Sequence, residues 1–110
     1  MYKLHSTKSY IDNVTSIHSH IKKVLDAPMA ADSLIDSLSE KLWQIKKMPY
    51  SIALVKDDYL ASLGIRYAII KNYILIYTIY EEKKIVKLVR FLDGRSDWIN
   101  ILKEFLTYEE

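Results

Sequence analysis

The stretch IVKLVRFLDGRSDW, residues 85–98, runs from an apolar strand pattern into Asp93, Arg95 and Asp97, then resumes an apolar pattern at Trp98. A guanidinium between two carboxylates at the lip of a strand suits one of two jobs. It recognises an anion, offering paired planar donors to two oxygens, or it pairs with Asp93 or Asp97 and fastens the strand end to the next helix. Arginine occurs only at positions 66, 90 and 95, all in the second half of the chain. That confinement points to a local anion-recognising face, and a solvated sheet surface accounts for it about as well.

Other chemistries find less material. There is no cysteine, which removes disulfides, thiolate nucleophiles and thiolate metal sites. His5 lies in a short alternating run. His18 and His20 stand two apart in a helical pattern, so they fall on different faces and make no metal pair. Surface histidines, no metal and no cofactor are the expectation. Tyr67, Tyr73, Tyr77 and Tyr80 crowd one segment, where aromatic rings either stack on unpaired bases or fill a core. Tyr73 and Tyr77 suit the core.

The elements that position these groups follow from periodicity. With 110 residues, 50% hydrophobic and 27% charged, the chain reads as one globular domain spanning residues 1–110. A net charge of +2 does not announce nucleic acid by its sum. No segment approaches the ~20 apolar residues of a membrane span, and the N-terminus lacks a signal-peptide core. A soluble cytoplasmic protein is expected, without membrane association.

YKLHS, residues 2–6, alternates with Tyr2 and Leu4 on one face and predicts a first strand. Tyr10, Ile11, Val14, Ile17, Ile21, Val24 and Leu25 form one helical stripe, capped by Thr7 or Ser9 and ending near Asp26 and Ala27. Pro28 opens a second helix with the stripe Leu34, Ile35, Leu38, Leu42 and Ile45, closed by Met48 and Pro49. So short a connection predicts an antiparallel helical hairpin. Ile52, Leu54 and Val55 hint at a short strand, Asp57 and Asp58 at a turn, and Gly64 at a break. IRYAII and YILIYTIY form a hairpin around Lys71 and Asn72, with Asn72 suited to a positive φ. The second of these strands is apolar on both faces, as a strand covered on both sides would be. EEKK makes a charged turn, IVKLVRFL a further strand, and Trp98, Ile101, Leu102, Phe105 and Leu106 a last helix capped by Ser96 or Asp97. The expected fold is α+β: an N-terminal strand, an antiparallel helical hairpin packed on a small, mostly antiparallel sheet, and a short C-terminal helix.

In that order and spacing the chain resembles the RelE/ParE superfamily of toxins from type II toxin–antitoxin modules. The resemblance covers nearly the full length. It rests on YKLHSTKSYIDNV, on APMAADSLIDSLSEKLWQIKKMP, on GIRYAIIKNYILIYTIY and on IVKLVRFLDGRSDW, which look like the family's "aA…l…l…fP", "giR…v.nY.i.Y.i" and "v.i.rvlhGRrDw".

The resemblance implies growth arrest when the toxin is free of its antitoxin, and a working face at the ends of the last strands. Ribosome-dependent mRNA cleavage is the leading mode it implies; inhibition of DNA gyrase by binding is the alternative, and an inactive antitoxin-binding homologue a third. Cleavage through a 2′-hydroxyl needs a base, an acid and cations on the phosphate. Arg66, matching "giR", and Arg95, matching "GRr", are the implied cations, with Arg90, Lys56 and Lys71 as further target contacts. Asp93 stands where the family's closing strand often carries His, and a carboxylate beside arginines is a weak base near neutral pH. WINILKEFL supplies no catalytic Tyr or His; Tyr108 follows it. The outer faces of the first two helices, with Trp98 and Phe105, are the expected antitoxin contacts, where a disordered partner segment would order on binding.

Overall fold

In a computed structural model, the backbone is described for residues 1–109 and side chains for residues 1–107. Strand β1 spans Lys3–Ser6 and hands the chain to helix α1, Lys8–Ser19. Thr7 resolves the choice of cap: its hydroxyl oxygen accepts the Tyr10 N–H at 3.0 Å. After Ser19 the helix widens into one π turn, His20–Val24. The wider turn rotates the following side chains off the buried stripe. Val24 and Leu25, expected within that stripe, are therefore 70% and 59% exposed. Asp26, at φ +50°, reverses the chain.

Helix α2, Pro28–Lys47, begins on its proline and buries Ala31, Leu34, Leu38 and Ile45 against α1 and the sheet. His18 and Asp32 bond at 3.2 Å between the two helices.

The segment after Pro49 departs from expectation. No strand forms there; Leu54 makes a single antiparallel bridge to Arg66, and the Val55 N–H donates to the Ile65 carbonyl at 2.9 Å. Asp57 is not a turn residue but the cap of a short helix α3, Asp58–Ser62, its carboxylate accepting the Leu60 N–H at 3.0 Å. A carboxylate three residues ahead of a fully buried leucine favours that capped turn over an extended strand. Gly64, at φ +76°, makes the expected break.

Strands β2 (Arg66–Ile70), β3 (Tyr73–Tyr80) and β4 (Ile85–Asp93) follow, then α4, Trp98–Glu109. The sheet order is β1-β4-β3-β2, with β1 parallel to β4 and the other pairs antiparallel. In the β2–β3 hairpin Lys71, not Asn72, takes the left-handed conformation, at φ +56°. Opposite Ile76 and Tyr77, β4 carries one extra residue: Tyr77 pairs with Leu88 and Ile76 with Arg90, leaving Val89 as a bulge.

The bulge helps serve two cores. Ala68, Leu75, Tyr77, Val86, Leu88 and Phe91 pack toward the α1–α2 hairpin. Ile74, Ile76 and Val89 pack toward α3 and α4, with Leu60 and Leu102 fully buried between the layers. Helices thus cover both faces of β3 over Ile74, Leu75, Ile76 and Tyr77, which is why that stretch of the strand has no polar side.

Candidate functional site

Asp93 ends β4 opposite Tyr73. Gly94 then passes so close to the β2–β3 hairpin that a Cβ would lie 3.0 Å from the Asn72 carbonyl and 3.3 Å from the Ile74 side chain. Its own N–H donates to that carbonyl at 2.7 Å. The turn brings Arg95 back onto Asp93. The Arg95 backbone N–H and Nε reach Oδ1 at 2.9 and 3.0 Å, and Nη2 reaches Oδ2 at 2.9 Å. These bonds, the guanidinium's first and the backbone N–H's second, hold the Asp93 carboxyl below its ordinary range. Asp97 takes no part. It precedes α4, accepts the Ile101 N–H on its carbonyl at 3.0 Å and receives Asn100 Nδ2 on Oδ2 at 2.9 Å. The pair closes its own turn, and the Arg95 side chain stays 70% exposed.

Arg66 lies elsewhere. The register sets it beside Tyr77, whereas Asp93 sits beside Tyr73, four residues along β3. At strand rise this is about 13 Å along the sheet. Arg66 is half-buried, donates through Nη1 to the Ile52 carbonyl and lies over the Tyr50 ring at 5.1 Å. Beside it the buried Tyr77 hydroxyl donates to the Pro49 carbonyl at 2.6 Å. Together they fasten the chain after α2 to the sheet. The structure does not bring Arg66 and Arg95 together.

Arg90 follows the bulge. Its Nε donates to Asn13 Oδ1 at 2.7 Å, and its guanidinium lies over the Phe105 ring at 4.8 Å. The same Asn13 oxygen accepts the Phe91 N–H at 3.2 Å. Trp98 packs on Tyr67 with ring centroids 5.6 Å apart. Trp98 and Phe105 are both half-buried against the second core, so internal packing takes up much of each ring. The outward side of α4 offers Asn100, Ile101 and Glu104. Lys71 donates to Ser33 of α2 at 2.9 Å. Lys56 is exposed, with no side-chain bond among the described residues. Tyr108 lies outside the described side chains.

One cluster escaped the sequence. Glu81 accepts the Tyr2 hydroxyl at 2.7 Å and the Tyr50 hydroxyl at 2.9 Å, and pairs with Lys84. Lys84 also lies over the Tyr2 ring at 5.2 Å. Lys84, then the two hydroxyls, hold the Glu81 carboxyl down to about 2, and Glu81 in turn pushes both tyrosines up. The Glu–Lys spacing in EEKK was visible; two tyrosines far off in the chain were not.

Among the described residues no three His, Cys, Asp or Glu side chains converge on a possible metal position, and no helix is long and apolar enough to cross a membrane. Burial pushes Tyr10 and Tyr77 up to about 12.

The geometry can be set beside known proteins. A search of curated sequences gives no match. Among solved structures, a chain of the chromosomal ParDE toxin–antitoxin system from P. aeruginosa superposes with a TM-score of 0.67 at 16% identity, covering 84% of this chain and 96% of that one. A chain of the intact E. coli RelBE toxin–antitoxin complex gives 0.60 at 14% identity, covering 87% and 100%. The isolated E. coli RelE toxin gives 0.59 at 14% identity, covering 96% and 99%. At such identities the likeness speaks to the fold, which is that of the RelE/ParE toxins. The sequence model of the ParE toxin of the type II toxin–antitoxin system, parDE, matches residues 5–98. Nearly the whole chain, from the first strand to the opening of the last helix, thus carries the family pattern, and the protein belongs to the ParE toxin family of type II toxin–antitoxin systems.

Proposed function

We propose that this toxin arrests growth by binding DNA gyrase rather than by cutting messenger RNA, and that a cognate antitoxin holds it inactive in the cytoplasm. The observation that carries the reading is the Asp93–Arg95 lock. Asp93, the carboxylate that ends β4, is held ionised and accepts three hydrogen bonds from Arg95, so it is a poor acceptor for a 2′-hydroxyl proton. Arg66, the other cation that cleavage would need, is engaged by Ile52 and Tyr50 well away from Arg95. An inhibitor that works by occupancy requires no acid–base pair, and an exposed guanidinium held rigid by its neighbour is a suitable anchor for a protein surface. Family membership supports the same reading, since ParE-like members act on gyrase. The parentage of two structural relatives, taken from toxin–antitoxin complexes, supports an antitoxin partner.

Purified toxin is expected to block gyrase supercoiling of a relaxed plasmid. Induced cells should show gyrase-linked DNA breaks and intact transcripts. Arg95→Ala should raise the half-inhibitory concentration about ten-fold. Codon-associated transcript ends with normal plasmid topology would instead assign the protein to mRNA cleavage.

A further inference from the structure

On the face of the sheet turned away from the helical hairpin, α4 covers only the part around Ile74, Ile76 and Val89. The rest stays open. There the register sets His5 beside Lys87 and Thr78, and Lys3 beside Ile85 and Tyr80. Leu4, Ile79 and Val86 pack toward the hairpin, so alternation turns all six of these residues to the open side. A cavity of about 820 Å³ lies here, walled by the turn that carries Lys83. It shares Thr7, Tyr80 and Lys87 with a second cavity of about 370 Å³ that reaches Lys8 at the start of α1.

The charges around this groove are unspent. Among the described residues Lys3, His5, Lys8, Lys83 and Lys87 have no ion-pair partner. Of the two acidic groups in the wall, Glu81 is occupied by Lys84, Tyr2 and Tyr50, which leaves Glu82. Tyr80, on the same face, is 52% exposed. Lys3 and His5 stand about 6.6 Å apart along β1, and His5 and Lys87 about 4.8 Å apart across the strands.

We propose that this open half-sheet is a binding groove for single-stranded nucleic acid, with Lys3, Lys87 and Lys8 on phosphates and Tyr80 as a platform for a base. Cations that track a backbone beside an exposed aromatic ring are the two components such binding needs. An acidic peptide would use the cations and leave the ring idle. The groove lies at the opposite end of β4 from Asp93 and Arg95, so it stands apart from the gyrase reading.

The test is fluorescence anisotropy of labelled oligothymidine and oligouridine against the full-length toxin over a salt series. Binding is expected to weaken with salt at a log–log slope of about −2, as about three phosphate contacts to a single strand require. Lys3→Glu with Lys87→Glu should abolish binding at moderate salt, and Tyr80→Ala should weaken it about ten-fold. Lys22→Glu with Lys23→Glu, which removes the same charge from the tip of the helical hairpin, should leave the affinity within about two-fold. Circular dichroism checks that each variant folds. Equal losses from both charge-reversed pairs, no binding at low salt, or competition by polyglutamate as strong as by oligonucleotide would each overturn the proposal. The DNA and RNA arms identify which strand the groove prefers.

Discussion

Asp93, at the end of β4, and Glu81, at the start of the turn before it, are both carboxylates at the sheet's rim, yet their neighbours give them different work. Asp93 holds a single arginine two residues on and shapes the rim of the sheet. Glu81 gathers Tyr2 from ahead of β1, Tyr50 from the chain after α2, and Lys84 from its own turn. Its folded pKa of about 2 lies below the ordinary 4.5. The unfolded state therefore binds the proton more readily, so this contribution is fully present above pH 4.5 and is lost as pH falls toward 2. Melting temperatures measured from neutral pH downward should fall more steeply in that window for the parent than for Glu81→Gln. Parallel curves would mean that the carboxylate is not held as the geometry implies.

The β4 strand depends on a device borrowed from α1. Beyond Leu88 the short β1 no longer pairs with it, and the bulge at Val89 leaves backbone groups that need partners. Thr7 supplies one, its hydroxyl donating to the Val89 carbonyl at 2.7 Å. Asn13 supplies another, accepting the Phe91 N–H while steadying Arg90. Asn13→Ala should cost about 1–3 kcal/mol in urea denaturation, because it takes the side-chain acceptor from the Phe91 N–H of the strand. A cost near zero would show that water replaces the amide. Sequence reading reached one of these two residues, the cap Thr7 ahead of α1, and not Asn13 within it. Thr7 was legible as a cap, since capping is local; Asn13 was not, since its partners lie 77 and 78 positions away.

At the scale of the molecule, two hydrophobic layers share one sheet, and α4 is a structural lid over the second. Leu102, fully buried, is its central peg. Leu102→Ala should cost about 2–5 kcal/mol by calorimetry or denaturant titration. Ile101→Ala, at a 38% exposed neighbour, should cost far less. Similar losses at both would place α4 loosely on the sheet. The sequence by itself determined the order of the four strands and of helices α1, α2 and α4, the helical hairpin, the apolar centre of β3 and the arginine-bearing turn, because periodicity, caps and proline act over a few residues. Only the tertiary structure decided which aspartate takes Arg95, where Arg66 goes, that Val24 and Leu25 face outward, and that Asp57 caps a helix. The physical reason is that such outcomes depend on register, on one π turn and on one bulge. A shift of a single residue in any of these redirects the side chains that follow it.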